Sequence, residues 1–324
     1  MKTKSFFSII FSLFFLISPG FSGAQSDYPT KPIQILVGFA PGGTTDVIIR
    51  ALSQEAKKYL GHEIIIVNKP GAAGMVSAAQ VVTAKPDGYT LGGAPSSPFT
   101  ITPFLQDLTF DPVEETTPIL SFAKFNSGIL VKSDGPFKTL RDFLEYAKQN
   151  PAKTTYGHPG VGTRPHLVMG AMAARDGIKI NFVAFPGDAP ATTALLGGHI
   201  MAMGGSGGFW VPHVQAGTLR LVAVMEEERD ELFPEVPTIV ELGYPYALPL
   251  VVFLYGPKGL PEVIVKKLED AFNKASQSPV FREVAKNNSL YAKKNMFREE
   301  LLKFLRTEKA KSGDIIKRLG LGKK

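Results

Sequence analysis

The sequence predicts an α/β fold of two doubly wound sheets, each flanked by helices. Short apolar runs typical of parallel strands alternate with segments of helical spacing along most of the chain. One unit, an apolar strand followed by a glycine-bearing loop and a helix start, also occurs twice, at residues 33–46 and 154–163. The repeat indicates two domains of similar construction.

The first 24 residues have the composition of an export signal. Lys2 and Lys4 form a basic start, residues 6–17 are apolar but too few to span a membrane, and residues 22–24 are small. We therefore expect a periplasmic protein with its signal peptide, residues 1–24, cleaved after Ala24. The alternative is a buried or membrane-anchoring helix. The chain has no cysteine, which excludes disulfides, so a large core must stabilise the mature protein.

The first half of the mature chain alternates strands and helices. The predicted elements are strand 33–39, a helix to residue 60, strand 63–68, a helix to residue 84 and strand 89–93. Gly61 is expected to end the first helix. Loops that follow parallel strands open at one sheet edge, where open α/β sheets bind ligands. These loops are residues 40–44, 70–74 and 94–100.

The second half repeats the alternation with its own helix starts and stops. Thr139 and Thr163 are the predicted N-caps of two helices, and Gly177 ends the second of them. The other predicted elements are strands 153–156, 180–185, 199–203 and 219–225, a short helix to residue 196, and C-terminal helices 262–276 and 298–317. The last part has few strands of its own, so we expect it to pack on the first sheet.

The order of these elements predicts the domain boundaries. Domain 1 is expected to comprise residues 25–124 plus 250–324, and domain 2 residues 125–249. Two extended, apolar segments near residues 119–132 and 249–256 lie between the repeats, so we expect hinge crossings there.

Composition and motif spacing exclude several functions. The formal net charge is +7, or +5 without Lys2 and Lys4, and this mild excess lacks the aromatic and basic interleaving of nucleic-acid binding. The five histidines show no metal-ligand spacing, so we expect no metal site. Proline or tryptophan stands where G-x-G-x-x-G needs its last glycine, at Pro165 and Trp210. We therefore expect no cofactor and no nucleic-acid partner.

Both glycine-bearing loops have the properties of an anion cradle. Glycines such as Gly42 and Gly43 let the backbone approach a ligand closely. The first amides of the helix that follows have no partner inside the helix and carry a partial positive charge. Two such loops facing each other predict that a small anion binds between the domains.

An ordered set of motifs covers nearly the whole mature chain. These are FAPGGTTD (39–46), NKPGAAG (68–74), PDGYTL (86–91), DAP (188–190), LLGG (195–198), AGTLR (216–220) and PEVPT (234–238). The set resembles the periplasmic solute receptors of tripartite tricarboxylate transporters, also called Bordetella-uptake-gene type receptors. The resemblance implies a two-domain periplasmic-binding-protein fold of the Venus-flytrap type II class and no enzymatic activity. It also implies an organic carboxylate ligand and a partnership with the membrane subunits of such a transporter.

Carried over residue by residue, the resemblance implies a ligand site at the loops. Its expected members are Ala40, Gly42, Gly43, Thr44, Asp46, Ser96, Ser97, Gly160, Gly162, Thr163, His166, Gly187, Asp188 and Ala189. Phe39 and Phe185 each precede one of these loops, so we expect them as partial pocket walls. The ligand could be a dicarboxylate, a tricarboxylate, an aromatic carboxylate or an acidic amino acid. We expect a monomer, because such a receptor must present both lobes.

Arg164 departs from the resemblance. The family usually has a small hydroxyl residue here, whereas this chain places a guanidinium in the first helical turn. Such a group could pair with a second carboxylate of the ligand, so Arg164 is a further candidate contact. The alternative is a solvated arginine beside the cleft.

Two other functions stay open from the sequence. A ligand sensor that feeds a signalling system has the same sequence features as a transport receptor. A serine hydrolase is the second, because the segment around Ser206 fits G-x-S-x-G. That class needs an acid and then a histidine after the serine, yet His213 follows with no acidic residue between them.

Overall fold

The structure, a computed structural model, describes residues 28–151, 153–291 and 294–323, with the side chain of residue 291 left out. The expected export signal and its cleavage after Ala24 lie outside these residues.

The described chain forms two sheets. The strands are β1 (Ile33–Val37), β2 (Ile64–Asn68), β3 (Thr90–Pro95), β4 (Thr116–Phe125), β5 (Ser127–Lys132), β6 (Thr155–His158), β7 (Asn181–Ala184), β8 (Ala202–Ser206), β9 (Leu219–Val224), β10 (Leu250–Pro257) and β11 (Leu290–Tyr291). One sheet has the order β11-β4-β10-β3-β1-β2 and the other the order β7-β6-β8-β5-β9. The predicted α/β class with two sheets is confirmed.

Helices cover the faces of both sheets. They are α1 (Thr44–Leu60), α2 (Met75–Val82), α3 (Ser97–Thr100), α4 (Thr102–Leu105), α5 (Leu140–Gln149), α6 (Arg164–Asp176), α7 (Asp188–Leu196), α8 (Gly207–Gln215), α9 (Glu262–Ser276), α10 (Pro279–Asn287) and α11 (Arg298–Arg318). A 3-10 turn at Ala72–Gly74 precedes α2. We call each sheet, with the helices packed on it, a lobe: the first lobe contains β1 and the second lobe β6.

Local sequence explains several helix ends. Thr139 and Asp142 form a reciprocal capping box at the start of α5, as two side chain–backbone hydrogen bonds show. Gly61 and Gly177 adopt left-handed conformations that end α1 and α6, as predicted. The strand expected at residues 199–203 starts later, at Ala202, because the backbone N–H of His199 donates to Ala194 at the end of α7.

Parallel and antiparallel pairs combine in each sheet. Strands β1, β2 and β3 are parallel, and β10 runs antiparallel to both of its neighbours, β3 and β4. In the second sheet β6, β7 and β8 are parallel, and β5 runs antiparallel to β8 and β9. The segment expected as a hinge at 119–132 consists of β4 and β5, with Asn126 alone between them.

The C-terminal helix belongs to both cores. Leu301 and Leu305 of α11 pack with the first sheet, whereas Ile315 and Ile316 pack in the core of the second. The last part of the chain therefore packs on the first sheet, as expected, and continues onto the second. The predicted domain boundaries and hinge crossings stay predictions.

Candidate functional site

The ligand-loop edges of the two sheets face each other. Strand β4 ends at Phe125, which lies at the same edge as Pro95 at the end of β3, because β10 pairs with both strands. Strand β5 begins at Ser127, which pairs with Ser206 at the end of β8. Since Asn126 alone joins β4 to β5, the carboxyl ends of the parallel strands in both lobes meet around this residue.

In the first lobe, Asp46 fastens the loop before α1. Its Oδ2 accepts a hydrogen bond from the N–H of Gly42 at 2.9 Å, and Arg50 and Asn68 donate to the same carboxylate. Burial alone would raise the pKa of Asp46, but the hydrogen bonds from Arg50, Gly42 and Asn68 outweigh it and lower the pKa. Asp46 is 2% exposed, so the structure gives it the role of positioning the loop. Its expected contact with a ligand stays a prediction.

The helix that follows starts close to the second lobe, because a Cβ added to Gly208 would lie 3.9 Å from Thr44 Oγ1. Gly43 is the N-cap of α1, and because glycine has no side chain it cannot cap the first amides of the helix. The amides of Thr44 and Thr45, in the first turn, have no carbonyl one turn earlier inside the helix. Amides of this kind can bind an anion, and their contact with a ligand here stays a prediction.

In the second lobe, two stacked histidines hold the matching loop. The rings of His158 and His166 lie 4.4 Å apart at 11°. The N–H of Gly162 donates to Nδ1 of His166 at 3.0 Å, so this nitrogen carries no proton. Burial, and then the neighbouring His158, lowers the pKa of His166 to about 4. The pair is therefore uncharged at neutral pH and supports the loop before α6 rather than offering a cation.

Arg164 is buried beneath this loop. It is 3% exposed, so the alternative of a solvated arginine is wrong. One terminal nitrogen donates to Glu226 at 2.5 Å and to the carbonyl of Leu248 at 3.0 Å, and the other donates to Ser127 Oγ. Both terminal nitrogens of the guanidinium therefore already donate to protein groups. The pairing of Arg164 with a ligand carboxylate stays a prediction.

Asp188 brings the starts of α7 and α8 together. Its Oδ1 accepts from the backbone N–H of Ser206 at 3.1 Å. Burial raises the pKa of Asp188 to about 6, although hydrogen bonds from Ser206 and the charge of Arg164 oppose the rise. Position 205 requires glycine, because a Cβ there would lie 2.7 Å from Asp188 Oδ1 and clash with it. Burial between these helix starts therefore makes this carboxyl group harder to ionise than an ordinary aspartate.

The remaining expected residues range from buried, such as Ser96, to exposed, such as Ala189. Ser96 is 1% exposed and its Oγ accepts from the N–H of Val251, which fastens the β3 loop to β10. Phe39 and Phe185 are half-buried and pack against Gly74 and Gly157, respectively. Ser97, Thr163, Gly187 and Ala189 lie at or next to the starts of α3, α6 and α7. Their contacts with a ligand stay predictions.

Sequence reasoning missed two features of this edge. The start of α8 approaches the first lobe: a Cβ added to Gly208 would lie 3.9 Å from Thr44 Oγ1, and one added to Gly207 would lie 2.7 Å from the Cβ of Ser289. The glycine-rich run 204–208 was the available signal for this close approach. The second is the buried position of Asn126 between β4 and β5, which no sequence pattern around it indicated.

The requirements of a hydrolase and of a metal site concern Ser206 and the histidines, within the described residues. His213 contacts Thr218, and over the described residues no histidine forms a hydrogen bond with Ser206. Within the same part of the chain, no cluster of three or more potential ligands for a metal ion is present. None of the described helices is long and apolar enough to cross a membrane.

A family model for the receptors of tripartite tricarboxylate transporters matches residues 48–321. The chain belongs to this receptor family. A UPF0065 protein in the gbd 5′ region of Cupriavidus necator is 37% identical over 304 residues, which are 93% of this chain and 91% of that protein. The family and the two-domain periplasmic-binding-protein fold predicted from the sequence are confirmed.

Two solved receptors share the fold along most of their length. A TctC solute-binding protein from Polaromonas, solved without ligand, is 31% identical with a TM-score of 0.80, over 90% of this chain and 99% of that one. MatC from Rhodopseudomonas palustris, with bound malate, is 26% identical with a TM-score of 0.73, over 89% of this chain and 100% of that one. Members of this receptor family are periplasmic solute-binding proteins.

Proposed function

We propose that this receptor captures a small organic carboxylate between its two lobes. The observation that carries the proposal is the pair of helix N-termini, α1 and α6, each preceded by a loop that a buried side chain holds in place. A carboxylate at a helix N-terminus gains about 0.3–1 kcal/mol from the helix dipole, and more where water is excluded. The malate bound to MatC supports this ligand class.

The recognition is expected to depend on backbone amides more than on charged side chains. Two arginines near the loops, Arg50 and Arg164, already pair with Asp46 and Glu226. The ligand's negative charge would therefore meet amides of α1 and α6 and the hydroxyl of Thr44. The same arrangement explains why the uncharged pair His158 and His166 is tolerated at this position.

We infer that the ligand is passed to the membrane subunits of a tripartite transporter. Membership of the receptor family supports this partner. The mature protein would act in the periplasm after cleavage behind Ala24, as a monomer that binds with both lobes.

A thermal-shift screen tests the ligand class. Mature protein, residues 25–324, is unfolded and refolded to remove carried-over ligand. It is then heated with malate, other di- and tricarboxylates, aromatic carboxylates and acidic amino acids, each beside its neutral amide. Ligand at 100 times its dissociation constant should stabilise the protein by about 2.7 kcal/mol. A rise in melting temperature with acids and not with amides supports the proposal, whereas a response to neutral compounds alone, or to none of the panel, contradicts it.

A further inference from the structure

A buried polar cluster lies where the chain passes between the lobes. Arg164 of α6 binds Glu226 and the carbonyl of Leu248, and the other carboxylate oxygen of Glu226 lies 3.3 Å from Lys124 Nζ on β4. Asn126 follows β4 directly. We call Lys124, Asn126, Arg164 and Glu226 the hinge cluster. It connects the first expected crossing segment to the start of α6, and Arg164 also contacts Leu248, just before the second.

Asn126 is the least satisfied member of the hinge cluster. It is 4% exposed, and among the described residues neither its Nδ2 nor its Oδ1 has a hydrogen-bond partner. Nε of Arg164 has none either. The main chain of Asn126, in contrast, is used, because its carbonyl accepts from Gly207 at the start of α8. The side-chain amide is therefore shielded from water without compensation, which is costly for two strong polar groups.

A cavity lies close to this amide. A cavity of about 360 Å³ borders the hinge cluster, with Lys124, Asn126 and Glu226 in its lining and Met296 and Phe304 on its apolar side. The lobes already touch on the α8 side, at Gly207 against Ser289. A small rotation about Asn126 that separates this contact would admit water from the cavity to the unpartnered amide.

We propose that Asn126 sets the ligand affinity by disfavouring the arrangement in which the lobes touch. The inference rests on the proposed function, since it concerns the same cleft. Without ligand, hydration of the Asn126 side chain favours separated lobes; with ligand, contacts from both lobes outweigh the loss of that hydration. Asn126 is thus a positioning residue, because it acts on the ligand through the lobe arrangement and needs no contact with it.

Distances between the lobes test this without any ligand. The chain has no cysteine, so Val263→Cys on α9 and Lys148→Cys on α5 place one spin label on each lobe at exposed positions. Pulsed electron paramagnetic resonance should give the unliganded protein a population with separated lobes. Asn126→Leu should shift that population to the shorter distance. A single short distance in the unliganded protein, or the same distribution in both proteins, overturns the proposal.

Two further variants make the result specific. Asn295→Leu is the matched control: Asn295 is also 4% exposed, but its Nδ2 donates to Asn273 and Ser276 within the first lobe. It should lower stability and leave the lobe distance unchanged. Asn126→Ala removes the same amide with a smaller side chain and replaces Asn126→Leu if that variant does not fold.

Binding gives the second readout. Removal of one unsatisfied buried group should tighten the dissociation constant for the best acid of the screen about five- to tenfold in Asn126→Leu. An unchanged or weaker affinity contradicts the proposal. If no acid binds either protein, the proposed function fails, while the ligand-free distances still decide the role of Asn126.

Discussion

Arg164 donates to Glu226 at 2.5 Å, and the two side chains are only 3% and 5% exposed. The pair joins helix α6, which starts at a ligand loop, to the segment that leaves β9. A buried ion pair of this kind gives little stability compared with an apolar pair, but loss of one partner strands the other charge. The charge of Arg164 is therefore matched by a glutamate within the same lobe.

Glu226→Gln should destabilise the protein by about 3–5 kcal/mol, because Arg164 loses its counter-charge in a buried site. The double variant Arg164→Met with Glu226→Leu should be more stable than Glu226→Gln. Urea unfolding of the mature protein measures both. Asp270→Asn, which breaks the exposed pair of Asp270 with Lys266, is the control and should cost no more than about 1 kcal/mol. If Glu226→Gln and Asp270→Asn lower the free energy of unfolding equally, Arg164 does not depend on Glu226 for its counter-charge.

Asp188→Asn should remove a pH dependence of stability. The pKa of Asp188 in the folded protein is about 6, above the ordinary value of 3.8. Between these two pH values the folded protein keeps a proton on Asp188 that the unfolded chain has released. The contribution of this group is full below pH 3.8 and is lost as the pH rises through 6. At pH 7 the variant should be more stable than the natural protein by about 1–2 kcal/mol. Urea unfolding at pH 4.5 and pH 7 gives the comparison, and an equal effect at both values contradicts it.

Asp46→Asn should show the opposite pH dependence. The pKa of Asp46 is below its ordinary value of 3.8, so its stabilising contribution is present above pH 3.8 and is lost as the pH falls through the folded-state pKa. The variant keeps an oxygen for the N–H of Gly42 but loses the charge that faces Arg50. We expect a loss of about 1–3 kcal/mol at pH 7 and a smaller difference at pH 3, measured by urea unfolding. If the stability difference between the variant and the natural protein does not shrink at low pH, the charge of Asp46 does not stabilise the fold.

Much of the local structure was predictable, because its causes lie within a few residues. Gly61 and Gly177 end their helices, Thr139 caps α5, and α9 spans the residues expected. The loops before α1 and α6 were predictable for the same reason, whereas the loop expected at residues 94–100 is wrong, because β3 continues to Pro95 and α3 begins at Ser97. Their side-chain roles were not, because these depend on partners distant in sequence.

Arg164 illustrates this limit. Glu226 lies 62 residues further along the chain and Leu248 lies 84 residues further, so no local pattern distinguishes a buried arginine from a ligand contact. Asn126 is a second case. Its burial without a partner follows from how two sheets meet, and an asparagine between two apolar strands reads equally well as an ordinary turn residue.

Gly207→Ala should weaken ligand binding by keeping the lobes apart. The new Cβ would lie 2.7 Å from the Cβ of Ser289, and overpacking of this kind costs about 1–3 kcal/mol. We expect an affinity loss of about tenfold, measured by titration calorimetry with the best acid of the screen. Gly208→Ala is the matched control, since its Cβ would lie 3.4 Å from the nearest atom, the carbonyl oxygen of Asn288. Similar losses in both variants would mean that Ser289 does not limit the approach.

The central claim is that a carboxylate binds at the N-termini of α1 and α6. Amide nuclear magnetic resonance of labelled mature protein, titrated with the best acid and with its neutral amide, tests it most directly. The account predicts that the acid produces its largest shifts at the amides of Thr44 and Thr45 in the first lobe and of Arg164 and His166 in the second. Shifts confined to one lobe, or centred on the cavity beside Met296 and Phe304, would contradict it.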